Sequence, residues 1–489
     1  MNRIAAIAVA DARIRFRRTS TVVVFLLLSG IAYLWVPDPS TGRALMQINH
    51  SRVLYNSAAI AMATALLGTL FIGLAGFYVV SNAVRRDAQS RVGAIIAATP
   101  LHSGEYIAGK FLGNALFLST FFCGFMLVSM AMVVVRGEAP LEPLTFIKQY
   151  LLLAPPPILF VSALAILFEC VPWLSGRFGD VAYFFVFMMS MALATAAVMN
   201  GLNWGAYFDP SGMATVIAQN MAMLHTKSIS IGASAFDAHK PPLVYPGLSI
   251  GHGFLAQRLV SMLVPLPLLL LARASFHRFD PARVRVAAKA ERRWLARLNA
   301  LLKPIARPLM TMPAARSLPL AAVADAQLTV ALLPPIAIAA VVSIALPLPI
   351  AFLAMAVSIA DIASRDAGAN TTTLLYAAPR LREHFVAWKF MSTAIIAIAF
   401  VLRHALSPAC LAGTLLTVAA ATALGTISGN AKTFIVLFLS FWYIVINDRG
   451  ATPALDFAGF YGKATPAIML TYAGIGAALL AIATLIRRR

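Results

Sequence analysis

Residues 86–111 read RDAQSRVGAIIAATPLHSGEYIAGKF, and residues 365–390 read RDAGANTTTLLYAAPRLREHFVAWKF. The two stretches align without a gap, with eight identities: Arg86/Arg365, Asp87/Asp366, Ala88/Ala367, Ala98/Ala377, Pro100/Pro379, Ala108/Ala387, Lys110/Lys389 and Phe111/Phe390. A second match lies upstream, where AVADA at 8–12 recurs at 322–326, before the first apolar run of each half. Two matches in the same order along the chain indicate an internal duplication.

The composition places the chain in a membrane. Hydrophobic residues make up 60% of the sequence and charged residues 12%, whereas a soluble protein has about 25% charged residues. A membrane span needs about twenty mostly apolar residues. Candidate spans are 20–36, 57–81, 106–135, 147–169, 181–200, 256–273, 328–345, 348–363, 386–402, 407–427, 432–446 and 466–486. The sequence therefore predicts an all-α fold, a polytopic transmembrane helical bundle of about 12 spans in two pseudo-symmetric six-helix halves.

The distribution of charge predicts the orientation. The net charge of +21 comes mostly from basic segments at 1–19, 82–105, 274–327 and 487–489. An even number of spans in each half places these segments on one side, and the positive-inside rule makes that side cytoplasmic. We expect the bacterial inner (plasma) membrane, with both termini cytoplasmic. The basic residues share no folded face, so we expect no nucleic-acid partner.

The domain organisation follows from the repeat and the spans. We predict a first half at 1–273, with an interfacial helix and six spans, and a second half at 322–489 with the same plan. A basic cytoplasmic linker at 274–321 joins them. Both halves begin inside, so the repeats are parallel and related by an axis along the membrane normal.

The repeated cytoplasmic stretch predicts a short amphipathic helix beneath the bundle. Asp87, or Asp366 in the second copy, favours a helix N-terminus, and Pro100 ends the helix. The next helix starts near Glu105. Such a helix is a docking element for a cytoplasmic partner, and the alternative is a solvated interfacial loop.

Two outside segments, 201–255 and 447–465, are long enough to fold. The first contains the apolar, Met-rich stretch 212–224, which is too short to span a bilayer. This stretch is either a re-entrant or interfacial helix or part of an ordinary loop.

The sequence carries few complete motifs for nucleotide binding, metal binding or ion transport. Residues 104–110 match the first seven positions of a P-loop, but Phe111 stands where Ser or Thr would bind Mg²⁺. The spacings between His225, His239 and His252 fit no short metal motif, so we expect no metal site. Few charged residues lie at mid-span depth, and Glu169 and Asp361 fall near cytoplasmic ends. This scarcity argues against an ion-coupled transporter.

The cytoplasmic repeat is similar to the coupling region of ABC-2 type transporter permeases. The match is best at Arg86, Asp87, Gly93, Thr99, Pro100, Tyr106, Gly109 and Lys110, and the second copy keeps Arg365, Asp366, Pro379 and Lys389. Members of that family usually carry Glu-rich coupling helices, whereas this chain has Gln89 and Ser90 there, and Asn370 followed by three threonines in the second copy. Asymmetric coupling, with one weaker arm, follows from these departures.

The resemblance implies two fused permease units and a coupling helix seated in a cleft of each ATPase subunit. The implied coupling residues are Arg86, Asp87, Arg91, Gly93, Pro100, Arg365, Asp366 and Pro379. It implies a separate ABC ATPase, expected as a homodimer, that binds ATP and Mg²⁺, so this chain carries no cofactor and is not itself an enzyme.

The sequence thus favours an exporter permease for a hydrophobic or amphiphilic substrate, such as a lipid, a peptide or a natural product. Membrane lipid is a further expected partner, and an accessory subunit on the periplasmic side would fit the outside segments. The alternatives are an ion-coupled secondary transporter, which needs buried charges, and a membrane-embedded enzyme or signalling scaffold, which needs a clustered polar site.

Overall fold

The computed structural model describes residues 2–17, 21, 25, 30, 32–226, 228–280, 297, 300, 317–333, 335–369, 371, 383–404 and 407–488. The chain divides into two compact units, Met1–Pro281 and Ala282–Arg489. Most of the predicted first span, 20–36, and most of the predicted linker, 274–321, lie outside the described residues.

The first unit is built mainly from helices, several of which are interrupted at proline or glycine. Its helices are α1 (Arg3–Phe16), α2 (Ser57–Phe71), α3 (Phe77–Val80), α4 (Ala83–Gln89), α5 (Val92–Ala98), α6 (Ser103–Arg136), α7 (Pro143–Leu153), α8 (Pro155–Cys170), α9 (Arg177–Met199), α10 (Asn203–Tyr207), α11 (Met213–Met223), α12 (His252–Ser261) and α13 (Pro265–Ser275). A π-helical segment, Ile72–Gly76, joins α2 to α3.

Two contacts far apart along α6 place Arg15 and Val36 within the first unit. At 34 residues, α6 is about 50 Å long. Near its start, Asn114 accepts a hydrogen bond from Arg15 of α1. At its last residue, Arg136 donates to the carbonyl of Val36. Arg15 and Val36 therefore contact α6 at positions 22 residues apart, about 33 Å along its axis.

The end that holds Val36 also carries a small antiparallel sheet, which the all-α prediction missed. Its strand order is β2-β1-β3, with β1 at Arg43–Ile48, β2 at Ser51–Arg52 and β3 at Ile229–Ala235. Asn49 and His50 connect β1 to β2 with φ of +51° and +68°, the conformation that tight hairpin turns require. Apolar-run analysis detects membrane spans and is blind to strands this short, which explains the omission.

A second departure from a simple bundle lies at 200–226, where the chain turns back into the unit. The Thr69 hydroxyl donates to the Ser211 carbonyl at 3.0 Å, about 18 Å along α2 from its first residue. Helix α11 then runs outward, since Asn220 contacts Met62 and Thr226 bonds to Asn49 in the sheet turn. Residues 213–223 are therefore a helix that packs inside the unit, and not part of an ordinary loop.

The second unit is also helical in the part that the structure describes. Its helices are α14 (Leu318–Leu332), α15 (Pro335–Ser343), α16 (Leu348–Ile359), α17 (Arg365–Gly368), α18 (Phe385–Val401), α19 (Pro408–Ser428), α20 (Ala431–Asp448) and α21 (Pro466–Arg488). Helix α18 packs against α14, α16 and α19, and α21 packs along α19.

The predicted count of about 12 spans is not reproduced. Over the described residues, nine helices are long and apolar enough to cross a membrane. Predicted spans 328–345 and 348–363 correspond instead to α15 and α16, of 9 and 12 residues. At 1.5 Å per residue each is shorter than the roughly 30 Å of a bilayer core. The first of these runs is broken between the end of α14 at Leu332 and the start of α15 at Pro335, which a hydropathy window does not register.

Candidate functional site: a buried ion-pair cluster in each unit

The repeat residues of the first unit meet in one buried group of charges. Lys110 Nζ, on α6, lies 2.9 Å from Asp11 Oδ1 on α1 and 2.8 Å from Asp87 Oδ2 on α4. Arg86 forms a short ion pair with Asp11, and Arg15 Nη2 lies 2.9 Å from Asp11 Oδ2. We call Asp11, Arg15, Arg86, Asp87 and Lys110 the first cluster. It ties three helices, α1, α4 and α6, together near the start of α6.

The corresponding residues of the second unit make the same pairs. Lys389 Nζ lies 3.2 Å from Asp325 Oδ2 and 2.6 Å from Asp366 Oδ2, and Arg365 Nη2 lies 2.6 Å from Asp325 Oδ1. We call Asp325, Arg365, Asp366 and Lys389 the second cluster. All four stand at positions identical to those of the first cluster in the two repeated stretches, so the repeat corresponds to one set of contacts made twice.

Both clusters are shielded from solvent. Lys389 is 0% exposed and Asp11 is 2% exposed. Burial alone would raise the pKa of the Asp11 carboxyl, but the cations of Arg15, Lys110 and Arg86 outweigh it and lower that pKa. Asp11 therefore stays ionised at neutral pH and holds its three cations.

The first cluster carries one more cation than the second. Arg15 follows Asp11 by one helical turn and donates to Asn114 at 2.6 Å. In the second unit Thr329 follows Asp325 at the same spacing and accepts from Arg365 at 2.8 Å. The formal charges sum to +1 in the first cluster and to zero in the second. The two units therefore differ in the charge of their clusters, in addition to the sequence differences between the two copies of the repeat.

Beside each cluster the first helix of the unit crosses the long helix that carries the lysine, and the side chains at the two crossings differ in size. In the first unit a Cβ on Gly109 would lie 2.7 Å from Ile7, so a glycine lets α1 approach α6 closely. Gly113 contacts α1 in the same way, at Ala8 and Asp11, which confirms the close contact that the Gly109-x-x-x-Gly113 spacing suggests. In the second unit Trp388 replaces the glycine and its indole donates to the Ala321 carbonyl at 2.9 Å.

The N-terminus of α4 is held by a carboxylate from another helix. Glu169, on α8, accepts from the backbone N–H groups of residues 82, 83, 84 and 85 at 2.6, 3.0, 2.7 and 3.0 Å. Asp87 was expected to start this helix, but it lies inside α4 and its Oδ2 accepts from the Tyr106 hydroxyl at 2.8 Å. The helix instead begins at Ala83, four residues before Asp87 and directly after Asn82.

We expect Glu169→Gln to loosen α4. An amide cannot accept four N–H bonds as a carboxylate does, and we expect a loss of about 1–3 kcal/mol in the stability of this joint. Limited trypsin digestion, followed at Arg85 and Arg91, should show faster cleavage than in the wild type. Glu142→Gln, an exposed carboxylate at the sheet end, is the control. Equal cleavage of the Glu169→Gln and control variants would contradict the capping role.

Of the remaining predicted coupling residues, the three that the structure describes, Arg91, Gly93 and Pro100, do not join the clusters. Arg91 is exposed and precedes α5 with φ of +62°. Gly93 is buried, and a Cβ there would lie 2.7 Å from the Phe279 ring. The Pro100 carbonyl accepts from Arg3 at 3.3 Å. Pro379 lies outside the described residues.

The residues that follow α13 contact the segment between α5 and α6 and the first turn of α6. Phe276 stacks on Tyr106 with ring centroids 5.2 Å apart, and Arg278 donates to the Thr99 carbonyl at 2.7 Å. Sequence reasoning missed these anchors and Arg15. The repeated AVADA was the available signal for Asp11 and Asp325, whereas nothing in the sequence singles out Glu169 as a cap.

Comparison with models of known protein families, with curated proteins and with solved structures finds no match for this chain.

Proposed function

We propose that this chain is the membrane permease of an ATP-binding cassette exporter, driven by a separate ATPase. The observation that supports the proposal most is the pair of buried clusters. Each joins the short cytoplasmic helix of its unit to the preceding surface helix and to the long helix that follows. A force applied to such a joint is passed to the bundle, because buried ion pairs in a low dielectric resist separation.

The outward face of α5 is suited to receive that force. Ile95 is 67% exposed and Val92 is 42% exposed, and the exposed Arg91 stands beside them. Arg86 and Asp87 lie beneath this face and within the first cluster. In the proposal they act by fixing the position of α5, while Val92, Ile95 and Arg91 contact the ATPase.

The partner is an ABC ATPase homodimer that supplies the ATP and Mg²⁺ sites, and the chain resides in the bacterial inner membrane with both termini cytoplasmic. In the proposal its two units are pseudo-symmetric permease halves. The substrate is hydrophobic or amphiphilic.

Copurification with the product of any ATPase gene adjacent to the gene for this chain tests the proposal. We expect a complex of two ATPase subunits per chain, with ATP hydrolysis in lipid that is lost when the ATPase active site is mutated. Ile95→Glu should release the ATPase, since it buries a charge at an apolar contact. Trp173→Glu, at a side chain that is 66% exposed, is the matched control and should retain it. Retention of the ATPase by Ile95→Glu would exclude α5 as the docking element.

An ion-coupled secondary transporter is the second candidate, because buried charges are more numerous than the sequence suggested. Lys110, Lys389 and Arg258 are buried within candidate spans, and such residues often serve ion pathways. Uptake by proteoliposomes that contain this chain alone, driven by a pH gradient and abolished by an ionophore, would favour this candidate over the first.

A further inference from the structure

A cavity of about 340 Å³ lies within the first unit, between α9, α10, α11 and α12. Helix α9 shows where it stands along the bundle. Near the start of α9, the Asp180 carbonyl accepts a hydrogen bond from Tyr78 of α3, the helix that precedes α4. Val198, which lines the cavity, follows 18 residues later, about 27 Å along the helix axis. The cavity is therefore far from the end of the bundle that holds the first cluster.

The position and the size of this cavity suit the headgroup of an amphiphile. Asn203 lines the cavity, and Trp204, the next residue, is 49% exposed. Exposed tryptophans are enriched where a membrane meets water, because the indole is apolar with one polar edge. Sites for small molecules usually measure about 300–1,000 Å³, and this cavity falls at the lower end of that range.

No charged side chain among the described residues lines the cavity. Arg258 is packed behind the wall against Gly212, where a Cβ would lie 2.7 Å from its Nη1. The carboxylate of Asp209 also lies behind the wall, and both residues are 1% exposed. Their formal charges cancel. A charged ligand would leave water without gaining an ion pair, which is costly, so the cavity favours an uncharged one.

The polar part of the lining consists mainly of carboxamides, from Asn203, Gln219 and Gln257. Among the described residues, no hydrogen bond is made by the side chain of Asn203 or of Gln257. Gln219 donates to the Ser249 carbonyl at 2.5 Å, while its Oε1 has no donor among the described residues. A buried acceptor without a donor costs about 1–3 kcal/mol, which favours a ligand that donates hydrogen bonds.

The rest of the lining combines one hydroxyl with apolar side chains. The Thr215 hydroxyl donates to Asp209 Oδ2 at 3.0 Å, so it can only accept from a ligand. Val198, Leu202 and Phe254 provide apolar surface. A hydroxyl group both donates and accepts, as a carboxamide does, and the carbon atoms of a polyol or sugar can lie against the apolar surface.

We propose that this cavity binds the uncharged, hydroxyl-bearing headgroup of an amphiphile, such as an alkyl polyol or an alkyl glycoside. Asn203 and Gln257 exchange hydrogen bonds with its hydroxyls. The apolar lining holds the carbon atoms of the headgroup and the first methylenes of the chain, because their burial removes apolar surface from water. The site does not depend on ATP-driven export, since binding is measured on this chain without an ATPase.

The test measures binding of radiolabelled dodecyl glucoside to the full chain in phosphatidylcholine nanodiscs. The nanodiscs are assembled without sugar detergents, and binding to empty nanodiscs is subtracted. We expect displacement by unlabelled dodecyl glucoside and none by dodecyl phosphate, which is charged. Dodecyl glucoside with all hydroxyls methylated keeps the ring and the chain but donates no hydrogen bond, so it should not displace the label either. Displacement by glucose at the same concentration would contradict the assignment to an amphiphile.

Loss of one carboxamide should weaken binding without abolishing it. We expect Gln257→Leu and Asn203→Leu each to weaken binding by about 2–10-fold, the net contribution of a neutral hydrogen bond. Gln89→Leu removes an exposed carboxamide on α4, outside the cavity, and should bind as the wild type does.

A pair of tryptophan variants keeps the test decisive if the leucine variants do not fold. Gly253 lines the cavity, and no atom lies within 4 Å of a Cβ built there. Gly253→Trp should therefore fold, fill the cavity and abolish binding. Gly251→Trp is the matched control, because its Cβ has equal space and it does not line the cavity. Wild-type binding by Gly253→Trp, or displacement by the methylated or the charged analogue as effective as that by dodecyl glucoside, would overturn the proposal.

Discussion

Lys389→Met is expected to lower the stability of the second unit by about 3–5 kcal/mol, the usual cost of leaving buried charges without their partner. The ammonium of Lys389 is 0% exposed and is shared by Asp325 and Asp366. Removal of this cation brings two carboxylates together with only Arg365 to compensate them. Thermal unfolding followed by fluorescence-detected size exclusion would report the loss as a lower Tm.

The double variant Lys389→Met/Asp366→Asn separates the charge from the volume of the side chain. It restores neutrality to the second cluster, so it should be more stable than Lys389→Met by about 1–3 kcal/mol, the range of coupling between residues in contact. Lys463→Met, at an exposed position of the same unit, should leave Tm unchanged. If the double variant is no more stable than the single one, ion pairing does not hold this joint together.

Gly109→Trp is the second substitution for which we expect a large effect. Because a Cβ at Gly109 would lie 2.7 Å from Ile7, an indole forces α1 away from α6 and separates Asp11 from Lys110. Overpacking typically costs about 1–3 kcal/mol, and the strained ion pairs add to it. We expect a lower Tm and a protein that aggregates at lower temperature.

The second unit suggests a substitution that should restore stability. There Ala321 lies against Trp388, at the positions that Ile7 and Gly109 hold in the first unit. Ile7→Ala combined with Gly109→Trp should therefore recover at least half of the lost Tm. Gly474→Trp is the matched control, because nothing lies within 4 Å of a Cβ at Gly474 in α21. A double variant as unstable as Gly109→Trp would mean that the two crossings are not built in the same way.

The repeat could be predicted to matter from the sequence, but its contacts could not. Arg86, Asp87, Lys110 and Asp11 all stood out as identities shared with the second half. Asp11 and Lys110 are 99 residues apart in the chain, and no rule of spacing within a helix joins residues so distant. Only the packing of α1 on α6 brings them together.

Other features lay beyond sequence reasoning for different physical reasons. Glu169 was recognised as an acidic residue near a membrane boundary, yet its role depends on where α4 begins. Arg258 stood inside a predicted span without attracting notice, because a single charge at an end of an apolar run resembles a boundary residue. The sheet involves strands of 2–7 residues, which leave little periodic signal.

The span prediction succeeded where apolar runs are long and failed where prolines divide them. Helices α6, α9, α19 and α21 lie within or around single predicted spans. Helices α15 and α16 are each too short to cross, although their hydropathy equals that of a span. Length between breaks decides whether a helix crosses, and hydropathy averaged across a break conceals that length.

The order in which the first cluster is synthesised has a consequence for biogenesis. A ribosome adds about 5–20 residues per second, so about 5–20 s separate Asp11 from Lys110, which follows it by 99 residues. In the second unit 64 residues separate Asp325 from Lys389, and the interval is correspondingly shorter. During its interval Asp11 has Arg15 as its neighbour one turn away, whereas Asp325 has only Thr329. Arg15 thus compensates the charge of Asp11 within α1 before Arg86 and Lys110 have been synthesised.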